Sequence, residues 1–187
     1  MIHSFIGRTP RFGEHPFIAD TATVTGDVIA GDDFGIWFSA VIRGDVNQVH
    51  IGDRTNIQDG AIVHVTHHVS PTSIGSGVTV GHGAIVHGCT IEDDVLIGMG
   101  SIILDHAVIG RHSIVGAGAL VTGRTRIPPR SMVLGSPARV VRELTDEEID
   151  SIHSYATNYV RYKNIHLGLE APDENPFYTP EAPQNAR

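Results

Sequence analysis

The chain has 187 residues, 41% of them hydrophobic and 18% charged, which is enough for one domain with a sizeable core. A formal net charge of −8, a pI near 5.8 and the lack of any run of Lys or Arg argue against nucleic acid or an anionic membrane as partner, and leave small solutes or proteins. Cys89 is the only cysteine, so no intrachain disulfide can form; it reads as a small buried thiol in a reducing compartment.

Residues 1–17 form a lead-in. The opening MIHSFIGRTPRFGEHP is broken by Gly and Pro before an apolar region can develop, and no stretch of about 18 apolar residues follows. These features predict a cytoplasmic protein with no membrane span.

From residue 18 to 138 the chain is an array. Aliphatic side chains recur every six residues at Ile18, Val24, Ala30, Ile36 and Ile42, then at Ile51, Ile57 and Val63, then at Ile74, Val80 and Val86. After one five-residue step they continue from Ile91 through Ile97, Ile103, Ile109, Val115, Val121 and Ile127 to Val133. A small or β-branched residue follows most of them at four positions on, and Gly often follows directly. Neither an amphipathic helix nor simple alternation makes a period of six, so each hexapeptide must be a short strand plus a turn. The pattern predicts an all-β parallel β-helix with the aliphatics pointing into a narrow shaft. Its nineteen rungs at three per turn make about six coils.

Two places break the period. Three extra residues fall between Ile42 and Ile51, around RGDVNQVH, and five between Val63 and Ile74, in VHVTHHVSPTS. Insertions of this kind are expected as loops, where function collects.

Residues 139–167 change character. TDEE places Thr145 three residues before Glu148, a capping box, and Ile149, Ile152, Ala156 and Tyr159 or Val160 follow at helical spacing. A C-terminal α-helix packed along the array is expected. Residues 168–187 are rich in Pro, Asn and Glu and read as a partly ordered tail.

The coil also places side chains. Twelve histidines are many for this length. His64 and His87 both follow the inward aliphatic of their rungs, three rungs apart, so they stack about 4.8 Å from each other and can share one ion. Arg43 lies one coil below in the same column. His82 falls on a different side of the triangle, above Asp59 and beside Gln58. The five-residue spacing of His82 and His87 suits neither a helix face nor a flat strand, so the two do not form a local site. A threefold homotrimer would bring the two sides together, with the third ligand supplied by the next subunit.

RGD (Arg43 to Asp45), NIQDG (Asn56 to Gly60), His64 and GHxxxxH (Gly81 to His87) together resemble the γ-class carbonic anhydrases, and GSPARVVREL and the final helix extend the likeness over essentially the whole chain. Within that class the chain is similar to the bacterial branch described as ferripyochelin-binding or hexapeptide transferase-like. The resemblance implies a left-handed β-helix and a homotrimer. It implies metal at each subunit interface, held by His64 and His87 of one subunit and His82 of its neighbour. It further implies that Arg43 pairs with Asp45 and, across the interface, with Asp59. Gln58 would orient the metal-bound hydroxide that hydrates carbon dioxide to bicarbonate, and Asn56 would serve a structural turn. Zinc is the default ion, with Fe2+ and Co2+ as alternatives at the same nitrogen ligands.

Tyr159 sits where relatives place a residue near the metal. The acidic residues that some relatives carry on the loops after the first histidine and after the RGD motif are missing from VTHHVSP and RGDVNQ. His67 or His68 is the candidate proton relay in their place. Two rival functions stay open: a hexapeptide-repeat acyltransferase or CoA thioesterase, and a noncatalytic metal-binding or assembly protein.

Overall fold

The computed structural model describes residues 1–171, and the tail expected over 168–187 falls almost wholly outside them. The hexapeptides fold as two-residue to three-residue strands stacked in parallel. One sheet runs through Phe17–Ile18, Gly35–Ile36, Asn56–Ile57, Thr79–Val80, Leu96–Ile97, Ile114–Val115 and Ser131–Gly135, which makes seven parallel levels. Ala138–Glu143 then turns back antiparallel on the last of these and closes its exposed edge. The other two sides of the solenoid are a single 12-stranded sheet, because Thr23–Ala30 and Val41–Ile51 each run round a corner and pair on both sides.

Every rung aliphatic from Val24 to Val133 is buried in the shaft, and the register keeps like on like: Val80 pairs with Ile57 below and Ile97 above. The shaft is therefore a stack of aliphatic layers, each Val or Ile side chain contributing about 1.5–3 kcal/mol by leaving water. Phe12 and Phe34 stack at the N-terminal end, with ring centroids 6.1 Å apart.

Two expectations differ from what is observed. The stack reaches seven levels on every side instead of about six coils, because the nineteen rungs give seven strands on one side and six on each of the others, where Ile2–His3 and Arg11–Phe12 of the lead-in pair with Thr23–Ala30 and supply the seventh. The RGDVNQVH insertion is not a loop. It lies within the continuous strand Val41–Ile51, and the register jumps from Gly26↔Gly44 to Val28↔Val49, so the extra residues form a bulge. Gly26 has φ +83 and its missing Cβ would lie 2.3 Å from the Gly44 carbonyl oxygen, so only glycine lets the two chains pass there. The second insertion is a true loop, closed by a bridge between Thr66 and Ser70.

The α-helix spans Asp146–His166, with Thr145 as N-cap and the capping box to Glu148 formed. It lies along one corner of the solenoid, where Asp33, Arg54, Gly77, Asp94, His112 and Arg130 succeed one another in adjacent coils, all with positive φ. Arg130 bonds Asp146 at 2.8 Å, Asp94 faces His153 at 3.7 Å and Asp33 bonds the buried Lys163 at 2.9 Å. The helix intervals match the coil intervals. Seven residues rise ~10.5 Å against two coils of ~9.6 Å, and ten residues ~15 Å against three coils of ~14.4 Å. No helix among the described residues is long and apolar enough to cross a membrane.

Candidate metal centre

His64 and His87 are register partners at the ends of the strands Ile62–His64 and Ile85–His87. The Nδ1 of His64 lies 3.1 Å from the Nε2 of His87. The other nitrogen of each ring meets a carboxylate: His64 Nε2 is 3.2 Å from Asp45 Oδ1, and His87 Nδ1 is 2.6 Å from Asp105 Oδ1. Asp45 is held in turn by Arg43, and Asp105 by the Thr66 hydroxyl.

These partners assign the tautomers. A neutral imidazole has one N–H, and a carboxylate can only accept, so the ring protons belong on the nitrogens facing Asp45 and Asp105. The two nitrogens that face each other then both present lone pairs, with no proton between them. Such a pair repels unless a cation lies against it. Two nitrogens bound at about 2.0–2.1 Å to a tetrahedral ion are about 3.3 Å apart, close to the separation observed, so the donors fit a divalent metal.

The electrostatics favour the ligand form. Burial, with the Arg43 charge near, holds His64 below its ordinary pKa despite the opposing pull of Asp45, so the ring stays neutral. Burial alone would raise Asp45 and Asp105. Hydrogen bonds from Arg43 and His64 in the first case, and from Thr66 and His87 in the second, instead hold both below the ordinary carboxylate range.

His82 stands apart, on the other sheet, just after Thr79–Val80. Its Nδ1 is 2.9 Å from Asp59 Oδ2, which leaves Nε2 free by the same tautomer argument. Two glycines set its position. A Cβ on Gly81 would lie 2.8 Å from the Ile97 oxygen and the Met99 nitrogen of the coil above, and Gly83 turns the corner at φ +66. Among the described residues, no His, Cys, Asp or Glu completes a three-ligand group with His64 and His87 inside one chain.

Gln58, buried beside His82, donates through Nε2 to Asn56 Oδ1, and Asn56 donates to Thr79. Tyr159 reaches from the helix to line the hollow that His82 and Gln58 share with Leu96, Met99 and Ile114. Burial, with the Asp59 charge beside it, pushes its hydroxyl up to about 12.

His67 and His68 are exposed on the Thr66–Ser70 loop with ring centroids 3.9 Å apart. His68 shares a hollow with Asp45, while His67 is not among the residues that line it.

Asp105 is the residue the sequence reading missed. Its signal was present in the coil: Val86 stacks on Ile103, so the segment just after Ile103 passes directly over His87.

The family model for bacterial transferase hexapeptides (six repeats) matches residues 88–123. The Arabidopsis thaliana protein named gamma carbonic anhydrase 1, mitochondrial, is 46% identical over 90% of this chain, which spans 63% of that relative's length. A Geobacillus kaustophilus carbonic anhydrase is 46% identical over 91% of this chain and 93% of its own. A Bacillus cereus crystal structure titled, provisionally, an acetyltransferase superposes with a TM-score of 0.88 at 44% identity, covering 91% of this chain and 98% of that one. The chain belongs to the γ-class carbonic anhydrase family.

Proposed function

We propose that this protein is a carbonic anhydrase that interconverts carbon dioxide and bicarbonate as a homotrimer. Each metal centre would lie at a subunit interface, held by His64 and His87 of one protomer and His82 of the partner subunit. The observation that carries the reading is the pair of facing lone pairs on His64 and His87, each ring backed by its own carboxylate. Ile62 and Leu104 support a partner on that face. They lie on the same strand stack as the two histidines and leave apolar side chains 42% and 37% exposed.

A zinc, iron(II) or cobalt(II) ion held by these histidines would supply Lewis acidity of the kind that makes water nucleophilic near neutral pH. The chain's own residues do the rest. Asp45 and Asp105 keep the two rings oriented and their protons out of the way, and Arg43 fixes Asp45. Across the interface Arg43 would also reach Asp59. Gln58 spends its amide N–H on Asn56, so its carbonyl oxygen is the free acceptor that can orient a water. Tyr159 stays a neutral phenol below about pH 12, a donor and not a base. The largely apolar wall beside it suits carbon dioxide better than it suits an anion. Proton export falls to the exposed His67 and His68.

The test is metal analysis of the purified protein with stopped-flow carbon dioxide hydration, comparing the native chain with His87→Ala. Loss in the variant of about one ion per chain relative to the native chain, together with loss of hydration, supports the reading. An ion content that His87→Ala leaves unchanged overturns it. Ion uptake without hydration moves the function to the acyl transfer that the Bacillus cereus relative's title names.

A further inference from the structure

We infer that the chain carries a second divalent-cation site, separate from the His64 and His87 pair, formed by Asp94, His112 and His153 where the helix meets the solenoid corner. One donor atom of each residue lies within 4.8 Å of the other two, and they are the three-ligand group that the described residues contain. Asp94 and His112 sit eighteen residues apart in adjacent coils, both at φ near +54, so their side chains leave the same corner one above the other. His153 comes from the facing surface of the helix, one residue after the fully buried Ile152. The rings of His112 and His153 meet edge to face with centroids 5.7 Å apart, and His153 Nε2 is 3.7 Å from Asp94 Oδ1.

A second observation points to a ligand. The Nδ1 of His112 is buried and has no hydrogen-bond partner, one of only two such side-chain atoms among the described residues. Burying a polar nitrogen unpaired is costly, and the ring that carries this one lies beside a second imidazole and a carboxylate. Two imidazoles and one carboxylate are a common donor set for zinc and other late first-row divalent ions, and oxygen-seeking Ca2+ or Mg2+ would be poorly served.

The ion would act as a clamp. The helix is already tied to this corner by Arg130 with Asp146 at one end and Lys163 with Asp33 at the other, and the proposed site lies between them. Two of its donors belong to the solenoid and one to the helix, so a bound ion cross-links them. Tyr159, six residues on from His153, would be held in place beside His82 as a result.

The experiment uses His64→Ala/His87→Ala protein, in which the first pair is gone, and titrates it with zinc chloride. One equivalent per chain, with a rise of several degrees in the unfolding midpoint, is expected. Adding His153→Ala, at a half-exposed position, should abolish both. Zinc uptake unchanged by His153→Ala, or no uptake at all, overturns the inference. If the double variant does not fold, equilibrium zinc content is measured in the native chain and in His153→Ala alone. A drop of one ion per chain supports the second site and no drop overturns it. Neither result depends on hydration activity, so this inference and the proposed function can fail separately.

Discussion

Asp105 illustrates how much of the centre is set by residues that never touch the ion. Its carboxylate accepts a hydrogen bond from His87 Nδ1 at 2.6 Å and is fixed by Thr66, from the loop of the second insertion. Asp105→Asn keeps the shape but offers an N–H where an acceptor is needed, or leaves the ring free to swing. Zinc affinity should fall about 10- to 100-fold, read by competition with a chromophoric chelator, and an unchanged affinity would mean that Asp105 does not set the tautomer. Tyr159 makes the opposite point, since its value lies in not ionising. Its folded pKa of about 12 exceeds the ordinary value of 10.0, so between those limits the unfolded chain loses a proton that the folded chain keeps. The stabilisation is complete below pH 10 and is lost as pH rises toward 12. Unfolding of Tyr159→Phe measured from pH 9 to 12 should therefore show a shallower alkaline decline than the native chain. The stacking of His64 on His87, and the place of His82 on another sheet, were legible because the six-residue period turns sequence into coordinates. Asp105 lies one residue past Leu104, the position stacked over His87, so the column alone does not name it.

At the scale of elements, the period identified every rung from Ile18 to Val133, and Thr145 with Glu148 marked the helix start. What it could not reach were pairings made by residues outside the period. Ile2–His3 stands off the period and Arg11–Phe12 keeps it only through an aromatic, Phe12, six residues before Ile18, yet both find an open edge on Thr23–Ala30. RGDVNQVH was expected as a loop and became a bulged strand because Gly26 and Gly44 allow two backbones to meet without side chains between them. The turn that presents His82 rests on glycine for two different reasons, and the two are separable by experiment. Gly81→Ala drives a Cβ against backbone atoms 2.8 Å away and should cost about 1–3 kcal/mol in chemical denaturation. Gly83→Ala meets open space and incurs only the left-handed backbone term, about 1–2 kcal/mol. Equal losses at both positions would argue that the coil above can yield.

On the function proposed, the whole chain offers two matched half-sites on different sheets and completes neither alone. That arrangement has a consequence that a self-contained site would not share. When His82→Ala and His87→Ala chains, each inactive by itself, are unfolded together and refolded, some interfaces pair the intact His82 of one variant with the intact His64 and His87 of the other. Random threefold assembly at equal amounts would restore about one quarter of the centres. Recovery of hydration and metal content on mixing is the expected result, and none at all would place the whole centre within one chain. The helix adds a constraint of another kind, which bears on how such a protein can lengthen. Tandem arrays commonly grow by duplicating a unit, and here each new coil between Asp33 and Arg130 would move the helix's two anchors ~4.8 Å further apart. The helix can follow only in steps of ~1.5 Å, and three added residues rise ~4.5 Å while turning ~300°, which swings Lys163 away from Asp33. An extra coil would thus need compensating changes at several helix positions at once, so the strap along the corner fixes the length of solenoid that this helix can span.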